Sequence, residues 1–324
     1  MLYPLTFQPI FQKRIWGGRK LETLYDKQLP SGEVIGESWE ISDRDDAQSV
    51  VQNGPLAGTS LHELMKSRGA EIMGRARSLD GRFPLLVKLL DAQDNLSLQV
   101  HPPQHLAAEL KGQPKTEMWY VAAAEPGSML YAGLRRGVTR EEFAEKTKAG
   151  TVAECFHQLP VGQGDSLFLP SGRVHALGKG LVIFEIQQNS DTTYRVFDWN
   201  RVDASGNPRE LHIPQSLKCI DFEDFEPGLT EFKSEEVASG VTSRALVRHA
   251  LFAVDLLRFS AGALFHEKIH EPRVIGVVSG EVEVGDPSAP VRLRAGQFAL
   301  VPASLGEVKL KGLQDAEALV AAPG

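Results

Sequence analysis

Gln99, His101, Glu117 and His175 have the types and spacing of a metal site. In Leu98-Gln99-Val100-His101-Pro102, strand alternation turns Gln99 and His101 to one face and Leu98 and Val100 to the other. The segment Gly164-x5-Pro170-x-Gly172-x2-His175 reads as a strand running into a tight Pro/Gly turn, which returns the chain so that His175 points inward. Glu117 begins the strand that follows Gln99 and His101 after a short helical excursion, and an inward carboxylate there completes a set of oxygen and nitrogen donors. Neutral imidazoles with one carboxylate suit Zn²⁺, and the same donors accept Mn²⁺, Fe²⁺ or Co²⁺. Taken singly, each residue has a plainer reading as a core or rim histidine or a solvated strand-start glutamate. Their joint occurrence at strand positions around one barrel favours the metal.

The elements that must position these groups are mostly strands. The stretches 34–42, 85–101, 117–123, 166–169 and 181–187 are short, β-branched or aromatic-rich, and bounded by Gly, Pro or Asp, an antiparallel all-β pattern. Helices interrupt it. Ser60 with Glu63 and Thr139 with Glu142 predict capping boxes, with helix ends at Gly69 and Gly150, and a third short helix is expected from Pro103 to Lys111. The acidic stretch 221–240 reads as a linker. Across it lies a weak internal repeat: Gly164 to Pro170 aligns with Gly296 to Pro302, and Glu117-Met-Trp-Tyr-Val-Ala with Glu271-Pro-Arg-Val-Ile-Gly. Two related β-barrels are expected, in domains spanning 1–225 and 226–324. In the second, Glu307 aligns with His175, and only His266, His270 and Glu271 offer donors near the first-motif position, so that barrel is expected to be structural and without a metal.

Composition narrows the class. The 324 residues are 42% apolar and 24% charged, ordinary for a globular chain and long enough for two domains. A net charge of −7 without clustered Lys and Arg argues against a nucleic-acid partner. No stretch approaches the roughly 18 to 20 apolar residues of a membrane span, and a cytoplasmic protein without membrane association is expected. Cys155 and Cys219 lack the paired spacing of a zinc knuckle or redox motif and are expected to be reduced and buried.

The Gly164 to His175 segment also has the form of the second cupin motif. Together with LSLQVHPP at 96–103, KTEMWY at 115–120, SGRVHALG at 171–178 and FEIQQNSDTTYRVFDWNR at 184–201, it resembles the class I mannose-6-phosphate isomerases in their shorter bacterial form. The match extends to Ile15-Trp-Gly-Gly18 and Gly36-Glu-Ser-Trp-Glu-Ile-Ser42, and so covers roughly residues 1–220 in order. The resemblance implies a mainly β fold of two cupin jelly-roll barrels with inserted short helices, one zinc ion per chain, and interconversion of mannose 6-phosphate and fructose 6-phosphate through an enediol or enediolate.

That chemistry needs an electrophile, a proton-moving base and a cationic patch. Arg195 matches the family's active-site arginine, and its permanent forked charge suits an enediolate or a substrate oxygen. Glu185 is a carboxylate in an apolar strand, where burial would raise its pKa towards acid–base work, or it orients Arg195. Lys115 and Ser97 match family positions for substrate or phosphate contact, and Lys88 in Leu85-Leu-Val-Lys88-Leu-Leu would demand an anion if turned inward. Trp16 and Trp39 are candidate pocket walls or core residues, and Asp198 with Arg201 a loop ion pair. Two classes compete with the isomerase: a non-catalytic cupin that binds a sugar phosphate, and a metal-dependent cupin oxygenase. The expected partner is a small sugar phosphate, and the expected state a monomer or small homo-oligomer.

Overall fold

The computed structural model describes residues 1–202 and 206–324. The short apolar runs become antiparallel strands, and in the first part of the chain these build two facing sheets. One has six strands, in the order Ile10–Gly18, Ile35–Ile41, Leu85–Ala92, Leu181–Gln188, Glu117–Ala124 and Ser166–Leu169. The other has five, in the order Tyr194–Phe197, Leu98–Val100, His175–Leu177, Met129–Leu134 and Phe156–Pro160. Trp16, Leu90, Trp119, Val121, Leu130, Leu167, Leu177 and Ile183 fill the space between them.

A second pair of sheets follows. Its six-stranded member runs Ser234–Ala238, Val241–Arg248, Phe252–Phe259, Ala316–Pro323, Arg273–Ser279, Phe298–Val301, and its four-stranded member Leu264–Lys268, Glu307–Gly312, Glu281–Val284, Val291–Arg294. Chain order and spatial order agree strand for strand between the two pairs, and in the first pair only Tyr194–Phe197 lacks a counterpart. The molecule is thus two jelly-roll β-barrels in tandem.

The six-stranded sheets stand back to back. Leu85, Val87, Leu89, Met118, Tyr120 and Phe184 from the first share one buried cluster with Phe252, Val254, Leu256, Val274, Leu300 and Leu319 from the second. The strand Leu85–Ala92 is therefore buried on both faces, which is why it reads as a continuous apolar run rather than an alternating one. Alternation still decides direction: with Val87 and Leu89 turned to the neighbouring barrel, Lys88 must point inside its own.

Three helical expectations are revised. The helix capped by Ser60 breaks at Arg68, whose φ of −137° is not helical, beside the expected stop at Gly69; a further helical piece then runs to Met73 and ends at Gly74, because Ile72 and Met73 fill the core between the barrels. Thr139 accepts from the Glu142 amide without the reciprocal bond, and that helix does end at Gly150. The excursion after Pro103 is helical only over Gln104–Ala107 and continues as turns to Lys111, whose φ of 53° closes it. The stretch read as a linker is shorter than expected, since residues Ser234–Ala238 form the edge strand of the second barrel.

The repeat also needs a shifted register. Glu117 lies opposite Leu169, and the matching pair in the second barrel is Arg273 and Val301, so Arg273 rather than Glu271 occupies the place of Glu117.

Candidate active site

The metal-type residues come together at one end of the first barrel. Cross-strand pairing sets Gln99 beside His175 on one side and beside Arg195 on the other. The turn before His175 is tied to the other histidine: Gly172, at a φ of 95° that a side chain would strain, donates its amide to the His101 carbonyl at 3.0 Å. One ligand atom from each of His101, Glu117 and His175 lies within 4.8 Å of the others, and all three residues are buried.

The donor chemistry fits a cation. His101 Nδ1 donates to the Thr192 carbonyl and His175 Nδ1 to the Arg173 carbonyl, each at 2.9 Å, which fixes both tautomers with Nε2 unprotonated and aimed into the site. Those Nε2 atoms lie 3.4 and 3.3 Å from the two Glu117 oxygens. His101 Nε2 and both oxygens of Glu117 are buried and accept no well-aligned hydrogen bond, a cost that a shared cation would remove. Burial and the charge of Lys115 push His101 down to about 3, and burial lowers His175, so both imidazoles are neutral, as ligands must be. Burial opposes ionisation of Glu117, but the Lys115 ammonium outweighs it and holds the carboxylate well below its usual range. The Gln99 amide nitrogen is 3.3 Å from His175 Nε2; exchanging the two ends of the amide would turn its oxygen to the same point.

Beside these donors opens a polar cavity of about 320 Å³, at the small end of the roughly 300 to 1,000 Å³ common for ligand sites. Ser97, Lys88, Lys115, Glu185 and Arg195 all line it, as does Trp16, so every residue singled out for catalysis or substrate contact reaches one space. A single row of cross-strand neighbours carries Trp39, Lys88, Glu185 and Trp119 across four adjacent strands. Lys88 Nζ lies 3.5 Å from Glu185, 3.6 Å from Glu37 and 3.8 Å from Asp191, and sits over the Trp39 ring. Trp119 Nε1 donates to Glu185 Oε2 at 2.8 Å, whereas Glu185 Oε1 accepts no hydrogen bond. Burial, followed by the charge of Glu117, raises Glu185 above the usual carboxylate range. A cation held by Glu117 would offset the second contribution; burial would remain.

Arg195 donates through Nη1 to the Glu210 carbonyl at 2.7 Å, while its Nε is buried without a partner. Lys115 Nζ is 3.0 Å from Glu117, on the same carboxylate that the histidines face.

Four further charged residues of this cavity were not anticipated: Arg14, Glu37, Asp191 and Arg209. Arg14 bonds Glu37 through Nε at 2.8 Å, and Trp39 Nε1 donates to the same carboxylate at 2.6 Å. Burial would raise Glu37, but Lys88, Arg14 and these hydrogen bonds bring it to about 2. The alternation of Glu37 with Trp39 was a usable signal for an inward glutamate. Asp191 and Arg209 lie in irregular segments where no periodicity marks a direction.

Residues 5–132 match the family model for the phosphomannose isomerase type I catalytic domain. The mannose-6-phosphate isomerase ManA of Bacillus subtilis is 36% identical over 313 residues, 95% of this chain and 96% of the relative. The chain belongs to the type I phosphomannose isomerase family. Within this family, the mannose-6-phosphate isomerase of Streptococcus mutans is 35% identical over 96% of both chains. A crystal structure of the mannose 6-phosphate isomerase from Bacillus subtilis superposes with a TM-score of 0.90 at 30% identity, covering 99% of each chain. The matched family domain contains Gln99, His101 and Glu117, whereas His175, Glu185 and Arg195 lie beyond it.

Among the described residues, no helix is long and apolar enough to cross a membrane.

Proposed function

We propose that this isomerase interconverts mannose 6-phosphate and fructose 6-phosphate with one zinc ion per chain, held by Gln99, His101, Glu117 and His175. The observation that carries the reading is a buried cluster of two neutral histidines and an unsatisfied carboxylate, joined through Gln99 and Lys115 to the polar cavity that Glu185, Lys88 and Arg195 line. When bound, the cation would supply Lewis acidity towards the carbonyl and hydroxyl oxygens of the open-chain sugar.

The remaining steps belong to side chains of this chain. Glu185 Oε1 takes the proton from C2 of the aldose and returns it to C1, while the hydrogen bond from Trp119 to Oε2 keeps the carboxylate oriented. Lys88, balanced among Glu37, Glu185 and Asp191, holds the base in place and offers an ammonium to the substrate hydroxyls. Arg195, beside Gln99, places a fixed charge where negative charge develops on the enediolate. Ser97 and Lys115 contact the sugar along the same wall. The second barrel, from the linker to residue 324, acts as a structural partner without a metal, and the enzyme works in the cytoplasm as a monomer or small homo-oligomer.

The test is metal analysis of the purified protein together with a coupled assay of fructose 6-phosphate formation. One zinc per chain and turnover that chelation removes and zinc restores are expected. A metal-loaded protein that binds mannose 6-phosphate without turning it over would make the chain a binding cupin instead.

A further inference from the structure

The cavity is divided by charge. Around Lys88 the cations Lys88 and Arg14 face the carboxylates of Glu37, Glu185 and Asp191. At the opposite wall the balance reverses. Arg195 has no carboxylate within 4.0 Å among the described residues, and its nearest acceptor is a neutral backbone carbonyl. Arg209 bonds Asp198 through two nitrogens, Nε at 2.7 Å and Nη2 at 2.5 Å. The same Asp198 oxygen that takes Nη2 also takes Arg201 Nη2 at 2.6 Å. Arg201 also bonds Asp94 at 3.1 Å, so three guanidinium groups, those of Arg195, Arg201 and Arg209, meet two carboxylates and positive charge stays in excess; Arg209 is the Asp198 partner that lines the cavity, together with Arg195.

We propose that Arg209 clamps the phosphate of the sugar phosphate, and that Asp198 is the positioning residue that holds its guanidinium plane at the cavity wall. This rests on the isomerase reading and adds to it the group that recognises the anionic end of the substrate. A planar fork matches phosphate oxygens in a way an ammonium does not. Holding one edge of that fork, Nε with Nη2, on Asp198 removes most of the rotamer freedom that binding would otherwise have to freeze, and leaves the Nη1 edge for the phosphate. Arg195, next to the metal donors, is left to the reacting oxygens. Phosphate recognition and proton transfer then fall on opposite walls of one cavity.

The experiment uses the full-length, metal-loaded enzyme. In Arg209→Ala the KM for mannose 6-phosphate should rise about 10- to 100-fold, the scale of a lost charge-assisted bidentate contact, with kcat changed by less than about 3-fold. Inorganic phosphate, titrated calorimetrically, should bind Arg209→Ala more weakly than the parent by a similar factor. Arg209→Lys should recover part of both losses. Asp198→Asn should move KM in the same direction by a smaller factor, with metal content unchanged, a split that general destabilisation would not produce. An unchanged KM and unchanged phosphate affinity in folded Arg209→Ala would overturn the proposal, as would an equal loss in kcat without a change in KM. If the parent itself fails to turn over mannose 6-phosphate, the isomerase reading fails, while the phosphate titration still decides whether Arg209 is an anion clamp.

Discussion

The two barrels share a strand order and differ in what their interiors hold. Where the first pairs His175 with Gln99, the second pairs Glu307 with Lys268. Where the first places Glu117, the second places Arg273, whose guanidinium is bonded to Glu267 at 2.8 Å and lies 3.5 Å from Glu271. Glu307 is engaged by His266 and Lys309, each at 2.5 Å. Donors that face one another unsatisfied in the first barrel are replaced by charges that neutralise one another in the second. Deeper inside, the positions of Trp119 and Glu185 are taken by Ile275 and Val320, which belong to an apolar core. A jelly roll can close over oil or over a polar cavity. The second choice leaves groups such as Lys88 and Glu185 buried, which requires mutual pairing.

Point substitutions test that contrast most severely at the matched positions. His175→Ala should lose metal and turnover by more than the roughly 10- to 100-fold that loss of a supporting hydrogen bond costs a metal site. Glu307→Ala should change neither. Plasma-emission metal analysis and kcat on both variants would break the comparison if Glu307→Ala also lost zinc.

Next in size is Glu185→Gln, which removes the base and should lower kcat about 10²- to 10⁴-fold with zinc content and KM near the parent. Arg195→Ala follows, with a loss of about 2 to 4 kcal/mol in transition-state stabilisation, read from kcat/KM, and only partial rescue by lysine. A rise in KM alone would move Arg195 from the reacting centre to uniform substrate binding.

The smallest effect expected is on stability. Glu37 sits at about 2 in the folded protein against an ordinary value of 4.5. Its folded pKa is depressed, so its contribution is fully present above the unfolded value and is lost as pH falls from about 4.5 towards 2. Glu37→Gln should therefore cost on the order of 2 to 3 kcal/mol near neutral pH and lose less on acidification than the parent, measured by urea unfolding as a function of pH. Equal acid slopes in the two proteins would show that the Arg14–Glu37–Lys88 group does not carry this stability.

The strands and the residues on them were largely legible in the sequence because alternation and short apolar runs follow directly from the pleat: Gln99 and His101 share a face for that reason. The capping residues Ser60 and Thr139 marked helix starts correctly, and Gly69 stands beside a real break at Arg68; the helical piece beyond it was not legible, since it depends on tertiary burial of Ile72 and Met73. The repeat was visible, but its register was not. Glutamate aligned with glutamate by identity, while hydrogen bonding puts Arg273 in that place. Arg14, Asp191 and Arg209 reach the cavity from separate parts of the chain, and only the closed barrel brings them together. Arg209 in particular depends on Asp198, a pairing that sequence proximity suggested only for Arg201.

The back-to-back sheets lock the two barrels together through one buried cluster. Lys88 faces the polar cavity while Val87 and Leu89, its immediate neighbours, face the other barrel, and the same division runs along the strand that carries Glu185. Removing the second barrel would strip the apolar cover from the back wall of the first, because one buried cluster fills the space between them. Truncation of Leu256, Val274 or Leu319 would therefore loosen the strands that carry Lys88 and Glu185, although none of the three lines the cavity.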